Sequence, residues 1–148
     1  MYVKFSESDN FFMRRALELA QKAKGTTFPN PAVGAVIVND YGKIIGEGAT
    51  GVCGGPHAEK RALRKAGAAA RGATMYVTLE PCPMCAFALV LAEVSLLVYG
   101  LDDPRLGACG SLINLLQFPG FDRNIAIRSG LYAEDSGQLL QAFFAKRR

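Results

Sequence analysis

Two short stretches of the chain, Val33-Gly34-Ala35-Val36-Ile37-Val38 and Val94-Ser95-Leu96-Leu97-Val98-Tyr99, are apolar with almost no interruption. Such runs are short for a buried helix, and a strand with one wet face would alternate polar and apolar residues. They read as strands covered on both sides. Covering both faces of a sheet takes helices, and helical patterning recurs between the strand-like runs. The expected architecture is therefore α/β, in three layers, with a central mixed sheet of about five strands and helices on both faces.

The remaining elements follow from local signals. Residues 8–23 read as a helix capped by Ser8 or Asp9, with Phe12, Ala16, Leu19, Ala20 and Ala23 at helical spacing and Gly25 beyond its end. Phe28-Pro29-Asn30-Pro31 is fixed as an extended or turn segment by its prolines. Residues 39–42 form a turn, 43–48 a returning strand, and 50–56 a glycine-rich loop. A second helix is expected over 57–66 and a strand over 73–79. A helix over 83–93, apolar nearly all round, should be buried. A loop over 102–111, a short helix to 117, a strand over 125–128 and a helix over 132–146 complete the chain. The Phe11-Phe12 and Phe143-Phe144 pairs read as core contacts of the terminal helices. No repeat or linker interrupts this order, so residues 1–148 are expected to form a single domain.

Composition removes several classes. At 148 residues the chain can bury roughly two thirds of its unfolded surface, enough for a core without staples. No apolar run reaches the ~18–20 residues of a membrane span. The start, Met1-Tyr2-Val3-Lys4-Phe5-Ser6-Glu7, lacks the pattern of a secretory signal, and a cytoplasmic location is expected. A net charge of +4 suits phosphate-bearing ligands, with local basic clusters at Arg14-Arg15, at Lys60, Arg61, Arg64 and Lys65, and at Lys146-Arg147-Arg148.

The chemistry concentrates in two segments. Pro56-His57-Ala58-Glu59 opens one expected helix, and Glu80-Pro81-Cys82-Pro83-Met84-Cys85 opens the next. Cys82 and Cys85 are close to one helical turn apart, so both sulfurs can face one ion, and a helix N-terminus favours the thiolate that metals bind. His57 is the only histidine. Two thiolates and one imidazole make three ligands of a tetrahedral zinc site whose fourth position stays open for water. Glu59, two residues on, would lie roughly 200° away around an ideal helix. At the first turn the pair can divide the work, His57 projecting from the helix end and Glu59 standing beside the water as proton carrier. Two other readings use the same residues: a four-ligand structural zinc completed by Cys53 or Cys109, and a thioredoxin-like redox pair. The first has no use for Glu59 and the second leaves His57 and Glu59 unexplained. Cys53 and Cys109 alone read as small buried or half-buried residues.

The pattern H-x-E…P-C-x-x-C is the established signature of zinc-dependent nucleobase deaminases. On these residues the chain resembles the cytidine deaminase superfamily over nearly its whole length. The downstream half is similar to bacterial tRNA adenosine deaminases, through Met75-Tyr76-Val77-Thr78-Leu79-Glu80-Pro81-Cys82-Pro83-Met84-Cys85-Ala86, Val98-Tyr99-Gly100 and Gly107-Ala108-Cys109-Gly110-Ser111. That resemblance implies a five-stranded sheet between helices, a homodimer and one zinc per subunit. The upstream half is similar to the deaminase domain of riboflavin biosynthesis, which acts on a diaminopyrimidine ribosyl phosphate. The matching residues are Phe28-Pro29-Asn30-Pro31-Ala32-Val33-Gly34, Gly54-Gly55-Pro56-His57-Ala58-Glu59 and Ala70-Arg71-Gly72-Ala73-Thr74. In that family the Asn matching Asn30 contacts substrate.

Each likeness has departures. The Asn with which the tRNA enzymes hold their nucleoside is Thr50 here, and their later Asn-His is Asp122-Arg123. The riboflavin enzymes space their two cysteine ligands more widely than CxxC. The resemblance implies a zinc-dependent hydrolytic deaminase of a nucleobase, of the wobble-adenosine-to-inosine type, with a tRNA anticodon loop as partner. The alternatives are the riboflavin-pathway diaminopyrimidine, or free guanine, cytosine or a nucleoside. A non-catalytic zinc-containing RNA-binding subunit is disfavoured by the intact Glu59. The expected ligands are His57, Cys82 and Cys85, with Glu59 catalytic. Asn30 and the backbone at Ala58 and Pro81 are expected to contact substrate, and residues 118–124 to form the pocket rim.

Overall fold

A computed structural model describes residues 4–27 and 29–145, with side chains as far as residue 141. Phe28, the Phe143-Phe144 side chains and the Lys146-Arg147-Arg148 cluster lie outside the described residues and side chains. The elements are α1 (Glu7–Ala23), β1 (Gly34–Val38), β2 (Ile44–Ala49), α2 (Ala58–Ala66), β3 (Thr74–Leu79), α3 (Pro83–Leu91), β4 (Leu96–Leu101), β5 (Ala126–Ser129) and α4 (Ala133–Ala145). A 3₁₀ turn at Gly67–Ala70, absent from the sequence reading, follows α2.

The strands lie in the order β2-β1-β3-β4-β5. β1 runs antiparallel to both its neighbours, while β3, β4 and β5 are parallel. All five residues of β1 are buried, as an uninterrupted apolar run requires. Alternate side chains feed two cores. Ala35, Ile37, Met75, Val77, Leu97 and Tyr99 pack with Ala58 and Ala62 of α2 and Leu89 of α3. Val36, Val38, Tyr76 and Val98 pack with Phe12, Met13 and Ala16 of α1. The sheet is thus the middle of three layers.

Two glycines let α2 lie low over the sheet edge. A Cβ at Gly46 would run into the carbonyl oxygen of Ala62, and one at Gly48 into that of Ala58. The helix backbone rests directly on β2, which sets the height of its first turn.

Three local expectations are corrected. The cap of α1 is Ser6, whose hydroxyl accepts the Asp9 N–H at 3.0 Å while Asp9 accepts the Ser6 N–H at 2.9 Å. Asp9 also accepts the Tyr76 hydroxyl at 2.6 Å and an Arg128 N–H at 3.3 Å, so the local capping box that replaces the expected Ser8 or Asp9 cap is tied to distant strands as well. The helix α3 is not buried all round. Cys85, Ala86 and Leu89 face inward, whereas Met84 and Leu91 are each 70 % exposed and Phe87 43 %. Residues 112–117 form no helix, because their amides go elsewhere. Leu112 N–H donates to Gly107 O, Leu115 N–H to Ala108 O, and Cys109 bridges to Asn114. Among the described residues no helix is long and apolar enough to cross a membrane.

Candidate metal centre and active site

The site forms where α2 and α3 begin. His57 is the N-cap of α2, with an extended backbone (φ −69°, ψ 165°), and Cys82 is the N-cap of α3 in nearly the same conformation (φ −73°, ψ 173°). An N-cap residue stands half outside its helix, so its side chain can turn across the helix end. Pro83 fills the first helical position of α3, where its missing N–H leaves nothing unpaired. The glycine-rich loop before His57 is held by Arg61, whose Nε donates to the Pro56 carbonyl at 3.1 Å.

His57 Nδ1 lies 3.7 Å from Cys82 Sγ and 3.5 Å from Cys85 Sγ. All three ligand atoms fall within 4.8 Å of one another, and neither Cys53 nor Cys109 joins the group. Tetrahedral zinc with bonds of ~2.3 Å to sulfur and ~2.0–2.1 Å to nitrogen sets N and S about 3.6 Å apart. The donor set and its spacing fit that ion.

One of the two sulfurs is biased toward the thiolate that a cation binds. Hydrogen bonding from Cys85 draws the Cys82 thiol down to about 5 despite burial, with the Cys85 and Met84 amides and His57 assisting. The Cys85 thiol, as donor to that sulfur, is pushed up. Glu59, 5 % exposed in the first turn of α2, has its carboxyl raised to about 7 by burial, with the Cys82 charge adding to the effect. A carboxyl near neutrality can take and return a proton at little cost either way.

Glu59, His57 and Cys82 line a small cavity of about 120 Å³ together with Asn30, Thr50, Glu80, Asp103 and Arg105. His57 also lines a second cavity, with Lys60, Met84 and Cys85, but this one lacks Glu59. The expected substrate residues divide. Asn30 borders the first cavity. Ala58 is buried beneath the start of α2, leaving only its backbone to serve. Pro81 is fully buried, has no N–H, and its carbonyl already accepts the Ala108 N–H at 2.9 Å, so it belongs to the loop and not to the cavity. Residues 118–124 do not border this cavity. Phe121 packs at a tilt against Phe87 of α3 and against Phe118, and residues 121–124 line a separate cleft beside Glu93. Cys53 is exposed, against expectation, while Cys109 is buried and its thiol is thereby raised.

Sequence reasoning passed over Glu80, Asp103, Arg105 and Leu106. Glu80 is 3 % exposed, and its carboxylate accepts the N–H groups of Asp103 (3.0 Å), Cys109 (3.0 Å) and Ser111 (3.1 Å) and the Ser111 hydroxyl. The signal available was a carboxylate at the end of an apolar strand, which folding must either neutralise or fully bond.

Over 146 residues the chain is 44% identical to the riboflavin biosynthesis protein RibD of Escherichia coli, covering 95% of this chain and 38% of that protein. The chain thus spans about two fifths of the length of this curated relative. A solved structure of Acinetobacter baumannii RibD superposes with a TM-score of 0.81 at 40% identity, covering 93% of this chain and 39% of that one. A structure from a study of A-to-I editing by tRNA:A34 deaminases gives a TM-score of 0.76 at 34% identity, covering 88% of this chain and 99% of that one. The "Cytidine and deoxycytidylate deaminase zinc-binding region" matches residues 6–101, which take in the whole of the His57, Glu59, Cys82 and Cys85 cluster, and the chain belongs to that zinc-dependent deaminase family.

Proposed function

We propose that this chain is one deaminase domain that hydrolyses the bond between a ring carbon and its exocyclic amino group in a diaminopyrimidine ribosyl phosphate, with His57, Cys82 and Cys85 as zinc ligands and Glu59 as proton carrier. This reverses the order of preference taken from the sequence. What carries the reversal is Thr50. It is 8 % exposed and lines the cavity, and its hydroxyl is spent on Val33, accepting the N–H at 2.9 Å and facing the carbonyl at 3.4 Å. The side-chain amide with which tRNA enzymes hold their nucleoside is thus absent, and the hydroxyl in its place is already engaged. The likeness to RibD over most of the chain supports the same reading.

Zinc bound by three protein ligands lowers the pKa of water to about 7 and so supplies the nucleophile. The rest falls to the chain. A Glu59 carboxylate oxygen takes the proton from the attacking water and delivers it to the ring nitrogen beside the amino-bearing carbon. A second transfer through the same carboxyl lets the amino group depart as ammonia, leaving a carbonyl on the ring. The Asn30 amide offers one donor group and one acceptor to the edge of the base, and the Ala58 N–H, at the open end of α2, is a further donor.

A second reading, wobble-adenosine deamination, is favoured by the CxxC spacing and by the coverage of the tRNA:A34 deaminase chain. The homodimer implied by the tRNA deaminase resemblance goes with this second reading, and the exposed Met84 and Leu91 on α3 are apolar side chains on offer. Ammonia release decides the substrate. The diaminopyrimidine ribosyl phosphate should be turned over, and an anticodon stem-loop, guanine and cytosine should not. Release from the stem-loop alone would overturn the proposal.

A further inference from the structure

A cavity of about 120 Å³ is small beside the ~300–1,000 Å³ of sites that enclose drug-sized ligands. It has room for one substituted ring. A sugar and phosphate carried by that ring must stay at the mouth, where the lining becomes exposed. Two of the exposed lining residues are Arg105 and Leu106, on the segment that follows β4.

Arg105 differs from the arginines that hold the fold together. Arg15 is paired with Glu47 and Glu18, Arg71 with Glu93, and Arg128 with Asp9. Among the described residues no carboxylate forms an ion pair with Arg105. The acids nearest in the cavity wall are already engaged. Asp103 accepts the N–H groups of Arg105 at 3.0 Å and Leu106 at 3.3 Å. Glu80 is saturated by the N–H groups of Asp103, Cys109 and Ser111. These bonds, together with the Gly107 N–H to Asp103 carbonyl bond at 2.8 Å, fix the backbone on both sides of Arg105. Even the residue at 107 is constrained, since a Cβ there would run into the Glu80 carboxylate. A guanidinium on a fixed turn, with its donors free, is suited to bidentate recognition of a phosphate.

We infer that Arg105 is a specificity-determining residue that binds the phosphate of the nucleotide whose base enters the cavity, an assignment that rests on the pyrimidine nucleotide reading above. The enzyme then discriminates a phosphorylated substrate from the corresponding ribosyl compound by a contact remote from the reacting carbon.

The test compares wild type, R105Q and R105K in ammonia release from the diaminopyrimidine ribosyl phosphate and from its dephosphorylated form, with zinc content measured for each. Wild type should favour the phosphorylated compound. In R105Q the ratio of kcat/KM between the two substrates should fall about tenfold or more, the size of one charge-assisted contact, with the loss in KM. R105K should recover part of the ratio, and zinc content should not change. A ratio in R105Q equal to that of wild type, while wild type still turns over the pyrimidine, overturns the role of Arg105 and leaves the pyrimidine reading standing. No pyrimidine turnover by wild type, with or without deamination of a stem-loop RNA, overturns the reading and the assignment together.

Discussion

The Glu80 carboxylate accepts the Cys109 N–H at 3.0 Å, tying the end of β3 to a loop 29 residues further along the chain. Glu80 sits two positions before Cys82 and also accepts the Asp103 N–H at 3.0 Å, which couples the start of α3 to the far wall of the cavity. Replacing Glu80 with Ala strips partners from the amides of Asp103, Cys109 and Ser111. The loss should cost about 2–4 kcal/mol of stability in urea unfolding, the range for a broken buried network. A change within about 0.5 kcal/mol, as at an ordinary surface position, would show that the loop holds itself.

Glu59→Gln keeps the shape of the side chain and removes its capacity to accept a proton as a carboxylate. Ammonia release should fall by roughly 10²- to 10⁴-fold, the usual weight of a positioned acid–base group. Elemental analysis should find the zinc content of wild type. Near-normal turnover would move the proton-transfer role to another residue.

Cys85→Ser withdraws one sulfur from the trio, and His57 Nδ1 is left with Cys82 as its only soft neighbour. The purified variant should carry much less than stoichiometric zinc, and added zinc should stabilise it less than it stabilises wild type, since metal affinity adds directly to folding stability. Full zinc retention in this variant would mean that the ion is held elsewhere.

Acid stability should depend on Asp9. Burial alone raises its carboxyl, but bonds from Tyr76 and Ser6 and the nearby Arg128 charge prevail and hold it below its ordinary 3.8. A depressed carboxyl contributes stability that is complete above the unfolded value and drains away as pH falls through the lower folded value. Asp9→Asn should therefore lose stability at neutral pH and show a shallower acid limb below about pH 4. Parallel acid limbs in urea titrations of the two proteins would contradict this.

Gly46→Ala places a methyl against the Ala62 carbonyl of α2. Backbone cannot yield as a side-chain tip can, and the cost should be about 1–3 kcal/mol. Thermal unfolding would reveal it, and an unchanged midpoint would mean that α2 has freedom to rise from the sheet.

How far the sequence was legible follows the range of the forces involved. β1 and β4 were readable because an uninterrupted apolar run has few places to go, and the starts of α2 and α3 because proline, histidine and cysteine sit where chain direction changes. That His57, Cys82 and Cys85 come together is legible from residue chemistry and spacing. The Ser6 cap is marked in the sequence by its three-residue spacing to Asp9, and Tyr76 and Arg128 add partners from distant strands. The outer face of α3 was not readable, because an all-apolar helix does not say which side meets the sheet. Residues 118–124 are expected at the pocket rim, whereas Phe121 settles on Phe87. The two halves of the chain point to different substrates, and the bond between the Thr50 hydroxyl and Val33, which sequence does not display, bears on the choice.

Because His57 and Cys82 both cap helices seated on one rigid sheet, the reactive groups keep a common frame of reference. Asn30 and Arg105 sit instead on connecting segments, the second pinned to the end of β3 through Asp103 and Glu80. Such an arrangement decouples what is done to a molecule from which molecule is admitted: exchanging the connecting segments could redirect the catalyst while its chemical machinery stays untouched.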